Sequence, residues 1–314
     1  MSRTIYRLLA SAGTDKLFWR LDARRLRILC YHGVCRNEVK GTNWVPDCFV
    51  TLSAFERQMQ YLSANARVLP LAEAVARLRD GTLPARSVCI TFDDGYANNL
   101  HLAYPVLTRY GLPATVFLST SYVESGGFFP FVKFKLIQLS LGGDAARQSL
   151  LDYKSAPLDL VLKWADQWWD KIEAQLTEEQ HETLRPLTIE EACAFKPELV
   201  ELGGHSHTHC IFGNESESRR QQEILTCLLA ITRWTGRLVR LFAYPNGQQG
   251  DFGPSDQEIL RVQGIVAAVT GIAGANGPGG DPFALRRYPV GVYHDQDGFR
   301  AELSGLRTAI LRMT

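Results

Sequence analysis

The stretch Ser87–Ser119 reads SVCITFDDGYANNLHLAYPVLTRYGLPATVFLS. Its opening segment, Ser87–Phe92, is rich in β-branched and aromatic residues and predicts a buried strand. Asn98–Tyr110 then carries helical patterning and stops at Gly111, which suits a left-handed cap. Ala114–Ser119 is a second strand-like run. Strand, helix and strand in succession define a parallel βαβ unit.

The same alternation extends outward from this unit. On its N-terminal side, Arg27–Tyr31 reads as a buried strand before Gly33. Ser53 with Glu56 forms a capping box opening a helix lined by Phe55, Met59 and Leu62, and Leu71–Arg79 reads as a helix stopped by Gly81. On the C-terminal side the rhythm lapses over 125–197, where Trp164, Trp168 and Trp169 mark a helical insertion. It resumes with strand Leu199–Gly203, helix Ser218–Trp234 closed by Gly236, strand Leu238–Tyr244, helix Ser255–Val262, strand Ile265–Thr270 and strand Leu285–Val290. Gly271–Gly280 reads as a loop, and no internal repeat is evident. The expectation is an α/β fold, a (β/α) barrel over 27–314 preceded by a basic helical segment over 1–26. In such barrels chemistry collects at the C-terminal ends of the strands.

Composition excludes several classes. The chain has 314 residues, 46% hydrophobic and 21% charged, with a formal charge of +1. Disorder does not fit this balance, and a nucleic-acid binder would need a basic excess. Seven cysteines without a CxxC spacing give neither a disulfide framework nor a cysteine zinc site, and scattered thiols of this kind suit the cytoplasm. The longest apolar stretch near the N-terminus, Leu8-Leu9-Ala10, is too short for a secretory core, and no run is long enough to span a bilayer. Arg3, Arg7, Lys16, Arg20, Arg24, Arg25 and Arg27 face only Asp15 and Asp22, while Ile5, Leu8, Leu9 and Ala12 recur at helical spacing. That segment reads first as a helix packed on its own domain. The alternative is peripheral contact with anionic lipid, which would put the protein at the inner face of the membrane. No obligate protein partner is implied.

Four strand ends carry chemistry. The first is Asp93-Asp94-Gly95-Tyr96, adjacent carboxylates that can face different ways at a bending strand end. Alone, that sequence reads first as a plain turn that also caps the next helix. The second is His205-Ser206-His207-Thr208-His209, in which histidines at i and i+4 share a face and can hold one ion. His207 points elsewhere, and Ser206 stands where a zincin has its glutamate, excluding that peptidase type. Asp94, His205 and His209 together give a facial set with open positions, as catalytic rather than structural metal sites do. One divalent ion is expected, Zn²⁺ first, with Co²⁺, Ni²⁺ or Fe²⁺ also suited. The third is Tyr31-His32-Gly33, an imidazole at the same rim. The fourth is Tyr244-Pro245-Asn246-Gly247, a tight turn whose N–H groups could face an oxyanion.

These residues resemble the polysaccharide deacetylase family, carbohydrate esterase family 4. The resemblance is specific at Thr91-Phe92-Asp93-Asp94-Gly95 and at His205-Ser206-His207-Thr208-His209, and it spans about Ile28 to Val290. It implies a distorted barrel with fewer than eight strands and metal-dependent removal of N-acetyl groups from an amino sugar of a polysaccharide, oligosaccharide or lipid-linked glycan. Carried over by residue, it implies Asp93 as general base and Asp94, His205 and His209 as metal ligands. Ser206 would brace the metal loop, and the Asn246 N–H would meet the oxyanion. Two family features are missing: the arginine before the third-motif turn, where Ala243 and Tyr244 stand, and the Asp-plus-Trp fourth motif. Leu285-Arg286-Arg287-Tyr288-Pro289-Val290 is similar to a variant found near poly-N-acetylglucosamine deacetylases, which implies that Arg287 orients Asp93 and that His32 is the general acid. His294, in Val292-Tyr293-His294, is the rival acid. Tyr96, Tyr244 and Pro245 flank the motifs and are expected to contact substrate. The alternatives are a deacylase for formyl or O-acetyl groups, or a sugar-binding protein on the same barrel in which Asp93 would be dispensable.

Overall fold

Strands form where β-branched and aromatic residues lie between turn formers. In the computed structural model, which describes residues 13–21, 24–141 and 154–306, seven of them close into a barrel. In order around it run β1 (Arg27–Tyr31), β5 (Ser87–Phe92), β6 (Ala114–Leu118), β7 (Val200–Gly204), β8 (Leu241–Ala243), β9 (Ala267–Ala273) and β10 (Leu285–Pro289). Every pairing is parallel, and β10 returns to β1. Three two-residue strands flank it. β2 (Val34–Cys35) pairs with β3 (Val50–Thr51), and β4 (Arg67–Val68) lies along the start of β5.

Helices cover the outside: α1 (Thr14–Leu21), α2 (Leu52–Asn65), α3 (Leu71–Arg79), α4 (Tyr104–Tyr110), α5 (Thr120–Ser125), α10 (Glu217–Thr235), α11 (Pro254–Val262) and α12 (Gln296–Ser304). Between β6 and β7 the chain adds α6 (Pro130–Leu141), α7 (Leu158–Glu173), α8 (Glu178–Leu184) and α9 (Ile189–Cys193). None of the described helices is long and apolar enough to cross a membrane.

Three packed regions follow from this layout. One buried cluster joins Ile28, Cys89, Phe117, Leu241, Ala243, Val269 and Leu285, drawn from every barrel strand except β7. There β7 supplies Gly203, where a Cβ would stand 2.5 Å from the Phe117 ring, so glycine is what lets that ring fill the barrel. Burying one such ring contributes about 2 to 3 kcal/mol. A second cluster sets Leu29, Tyr31, Ile90, Phe92 and Val116 against Phe55 and Met59 of α2 and Ile224 of α10. A third, with Phe128, Phe129, Leu136 and Trp169, lies under α6 and α7 and reaches Phe49 and Tyr96. At the N-terminus, Trp19 is buried and stacks on Tyr61, so α1 packs on its own domain, while the Ile5–Ala12 stretch lies outside the described residues.

Several local expectations are corrected. The cap of α2 is Thr51, whose Oγ1 accepts from the Ala54 N–H at 3.3 Å, and Glu56 instead pairs with Arg109. Because β3 delivers the chain directly into α2, the helix starts before Ser53 can cap it. The run Leu238–Tyr244 pairs only over Leu241–Ala243, and Leu238 is exposed. The strand expected at Ile265–Thr270 shifts to Ala267–Ala273, because Ala273 remains in register with Arg287 and carries pairing into the expected glycine loop. Asn98–Tyr110 is not one α-helix: Asn99–Ala103 forms a π turn ahead of α4. After His294, Asp295 caps α12 by accepting from the Gly298 N–H at 2.8 Å.

Candidate active site

The C-terminal ends of the barrel strands converge on a buried polar cluster. Asp93 and Asp94 follow β5, where Asp94 takes φ 75° and Gly95 φ 89°. A Cβ at Gly95 would also stand 2.6 Å from the Leu118 side chain, so the turn after the carboxylates needs glycine on two counts. That turn sends the two side chains to different partners.

Asp94 faces His205 and His209. Their Nε2 atoms lie 3.4 and 3.2 Å from its Oδ1. Donor atoms about 2.1 Å from one ion at tetrahedral angles stand about 3.4 Å apart, so this spacing fits a shared divalent cation. A second observation agrees: both Asp94 oxygens are buried, and neither accepts a hydrogen bond from a described residue. A buried carboxylate left so is costly unless a cation compensates it. Nδ1 of His205 is 2.7 Å from the Ala243 carbonyl, which fixes the tautomer that leaves Nε2 for an ion. His209 takes φ 58° and packs on the Phe131 ring. Burial would raise the Asp94 pKa, yet the His205, His209 and His32 imidazoles outweigh it and hold the carboxyl far below the usual range. Burial pulls both imidazoles down. The neighbouring aspartates overcome this at His205, whereas His209, facing other imidazoles too, stays lowered.

Asp93 faces Arg287. The guanidinium grips it with two bonds of 2.6 Å, and is itself held by the Thr270 carbonyl at 2.8 Å and the Thr91 hydroxyl at 3.2 Å. Both partners are buried. Burial raises Asp93, but Arg287, His205 and His32 bring it down to about 2, so it is ionised at neutral pH. The β9–β10 register shifts between Leu285 and Arg287, an irregularity of the kind that re-aims a side chain. The Cys30 thiol also reaches Asp93, 3.5 Å from Oδ2.

His32 joins this group: one of its ring nitrogens, the Cys30 sulfur and an Asp93 oxygen all lie within 4.8 Å of one another. Its Nδ1 is buried without a partner among the described residues. Its carbonyl accepts from Asn99 Nδ2 at 2.7 Å. The ring of His294 is engaged within its own turn, where Nδ1 accepts from the Gly291 N–H at 3.2 Å. Asn246 takes φ 55°, and its Nδ2 donates to Asp251 Oδ2 at 2.6 Å.

The remaining candidates sit differently from expectation. Tyr96 is fully buried between Phe49 and Phe129. Tyr244 is 1% exposed, stacks on Phe252 and donates its hydroxyl to the Phe283 carbonyl at 3.1 Å, while Pro245 is buried. All three are packed beside the site and are as buried as its carboxylates and imidazoles. His207 turns to Thr120 at 2.9 Å. The Ser206 hydroxyl is buried without a partner among the described residues. The His205–His209 loop is held instead by backbone and by Ser119, whose Oγ donates to the His205 carbonyl at 2.9 Å.

Residues overlooked in the sequence are those one layer back. Thr91 shares a strand face with Asp93 two positions on, a signal that alternation carries. Glu223 lies four before the buried Cys227 on α10, so a carboxylate on the apolar face was visible in the spacing.

A barrel with a rim aspartate, two imidazoles and an arginine-held second aspartate has the outline of a hydrolytic site that could hold a cation. Comparison with known proteins gives its family: a polysaccharide deacetylase model matches residues 80–253, more than half of the chain, and the chain belongs to that family. A poly-β-1,6-N-acetyl-D-glucosamine N-deacetylase of Staphylococcus epidermidis is 32% identical over 133 residues, 40% of this chain and 46% of that protein. A Staphylococcus aureus protein of the same name is 40% identical over 80 residues, 25% of this chain and 28% of its own. The chain thus spans less than half the length of these curated relatives. Among solved structures, Streptococcus pyogenes deacetylase PplD aligns with TM-score 0.63 at 16% identity, over 89% of this chain and 98% of that one. IcaB from Ammonifex degensii aligns with TM-score 0.61 at 21% identity, over 89% and 97%. These two likenesses establish the deacetylase barrel fold.

Proposed function

We propose that this chain hydrolyses N-acetyl groups from the amino sugars of a glycan, with Asp94, His205 and His209 holding one divalent ion, Zn²⁺ by the chemistry of the donor set. The observation that carries the reading is the pairing of two environments on adjacent residues. Asp94 is buried against the His205 and His209 imidazoles at a spacing that suits a shared cation, and Asp93 is locked by Arg287 beside it. The names of the staphylococcal relatives favour a poly-N-acetylglucosamine substrate.

An ion bound there would bring the pKa of a water towards about 7 and draw electron density from the acyl carbonyl. The protein's residues do the rest. Asp93, ionised and unable to rotate within the Arg287 fork, accepts the proton of the attacking water. The backbone N–H of Asn246 donates to the acyl oxygen as charge gathers on it. His32, beside Asp93, protonates the departing amine, which leaves poorly without a proton.

The test is acetate release from N-acetylglucosamine oligomers by protein stripped with chelator and then reloaded with Zn²⁺. Activity lost on stripping and regained on reloading is expected. A fully loaded protein that releases no acetate from any N-acetylated glycan would overturn the proposal.

A further inference from the structure

Thr208 stands between the two histidines in the chain, next to His209, and every polar atom it carries apart from solvent is taken. Its N–H donates to Glu223 Oε2 at 2.7 Å, and its hydroxyl donates to Glu223 Oε1 at 2.7 Å. Its carbonyl accepts from the Tyr122 hydroxyl at 3.1 Å. Glu223 is 2% exposed, although it belongs to α10, a helix whose other charged residues are solvated at least in part. Arg219, one turn earlier, supplies the countercharge at 3.1 Å.

We propose, on the reading that His209 is a metal ligand, that Glu223 is a positioning residue for the ion: it holds the loop so that His209 points at Asp94. The geometry supplies the reason. The N–H of Thr208 lies in the peptide plane entering that residue, and its carbonyl lies in the plane leaving it for His209. Glu223 fixes the first plane and the Thr208 side-chain rotamer, and Tyr122 fixes the second. Two fixed planes set φ and ψ of Thr208 and so the direction in which the chain enters His209, which itself takes φ 58°, a conformation a β-substituted residue seldom adopts unaided. In that conformation its Nε2 lies 3.2 Å from Asp94 Oδ1. A carboxylate suits the task better than an amide because Thr208 offers two donors side by side, and a carboxylate accepts both without a competing N–H.

The test is direct titration of metal-free protein with Zn²⁺ and, for its visible spectrum, Co²⁺, alongside thermal unfolding of the same metal-free samples. Glu223→Ala should weaken ion binding by about 10- to 100-fold, the range for lost partners of metal ligands, while Glu223→Gln should fall between it and the wild type. Thr208→Val removes the hydroxyl donor with little change of shape and should weaken binding in the same direction, and Thr208→Ser should restore it. The Thr208 pair keeps the proposal testable if Glu223→Ala does not fold. The Co²⁺ spectra of Glu223→Ala should change in shape as well as in affinity, which a general loss of stability would not produce. Wild-type affinity and spectrum in Glu223→Ala and Thr208→Val would overturn the positioning role and leave the ligand assignment standing. A wild-type chain that binds neither ion would overturn the ligand assignment and this inference with it.

Discussion

Asp93 and Asp94 are neighbours in the chain, yet one is gripped by a guanidinium and the other by two imidazoles. That division makes the Asp93–Arg287 contact a sharp place to intervene. Lysine offers one charged point where arginine offers a two-pronged fork. Arg287→Lys should therefore keep the ion content while lowering kcat by about 10²-fold, because a base free to rotate is misplaced by about 1 Å. Unchanged kcat would remove Arg287 from the site's working parts. His32 is tested by the leaving group. His32→Ala should lower amide hydrolysis by about 10²- to 10⁴-fold and largely spare an activated aryl acetate, whose leaving group needs no proton. Equal losses on both, or a larger amide-specific loss in His294→Ala, would move the acid elsewhere. At this scale the grouping of Asp94 with His205 and His209 was legible because His-x-x-x-His and Asp-Asp-Gly are short and local. The packing of Tyr96 and Tyr244 was not legible, because an aromatic beside a motif is equally suited to packing beneath it and the sequence does not show burial.

Elements show where local signals suffice and where neighbours decide. Helices ended by Gly111 and Gly236 stop where the sequence indicates, both glycines taking positive φ. The Ser53–Glu56 box failed because β3, two residues long and without periodicity to reveal it, starts the helix from Thr51. The cap of α9 gives a prediction for this scale. Glu191 completes a capping box with Thr188, accepts Arg185 at 2.8 and 2.9 Å and meets His101 at 2.6 Å. Partial burial would raise it, but these partners lower it to about 2 against an ordinary 4.5. A depressed carboxyl stabilises the fold above its unfolded pKa and loses that contribution as pH falls through its folded one. Glu191→Gln should cost about 1 kcal/mol near neutral pH, discounted for its partial exposure. The gap from wild type should narrow steadily from about pH 4.5 towards pH 2 in urea unfolding curves. A gap that widens on acidification would refute the assignment.

The whole molecule does what no single motif can. Arg287 and Asp93 are 194 positions apart, and they meet because β10 pairs with β1 and β1 with β5, which closes the barrel. That closure also brings in His32 from the end of β1. Both His32 and Arg287 lie outside residues 80–253, so the family match alone does not reach them. The alternation of strands and helices announced a barrel, but which strands would be neighbours at the seam is a property of the closed fold. The fused cluster beneath α6 and α7 was legible only as helical composition, since its packing against Phe49 and Tyr96 needs three dimensions.

The measurement that bears most directly on the central claim is ion content and acetate release determined on the same samples of wild type, Asp94→Asn and Asp93→Asn, each loaded with Zn²⁺. Wild type should hold one ion and release acetate from N-acetylglucosamine oligomers. Asp94→Asn should lose the ion and the activity together, and Asp93→Asn should keep the ion while losing at least about 10²-fold in turnover. An Asp94→Asn protein that retains its ion and its activity, or an Asp93→Asn protein as active as wild type, would contradict the account.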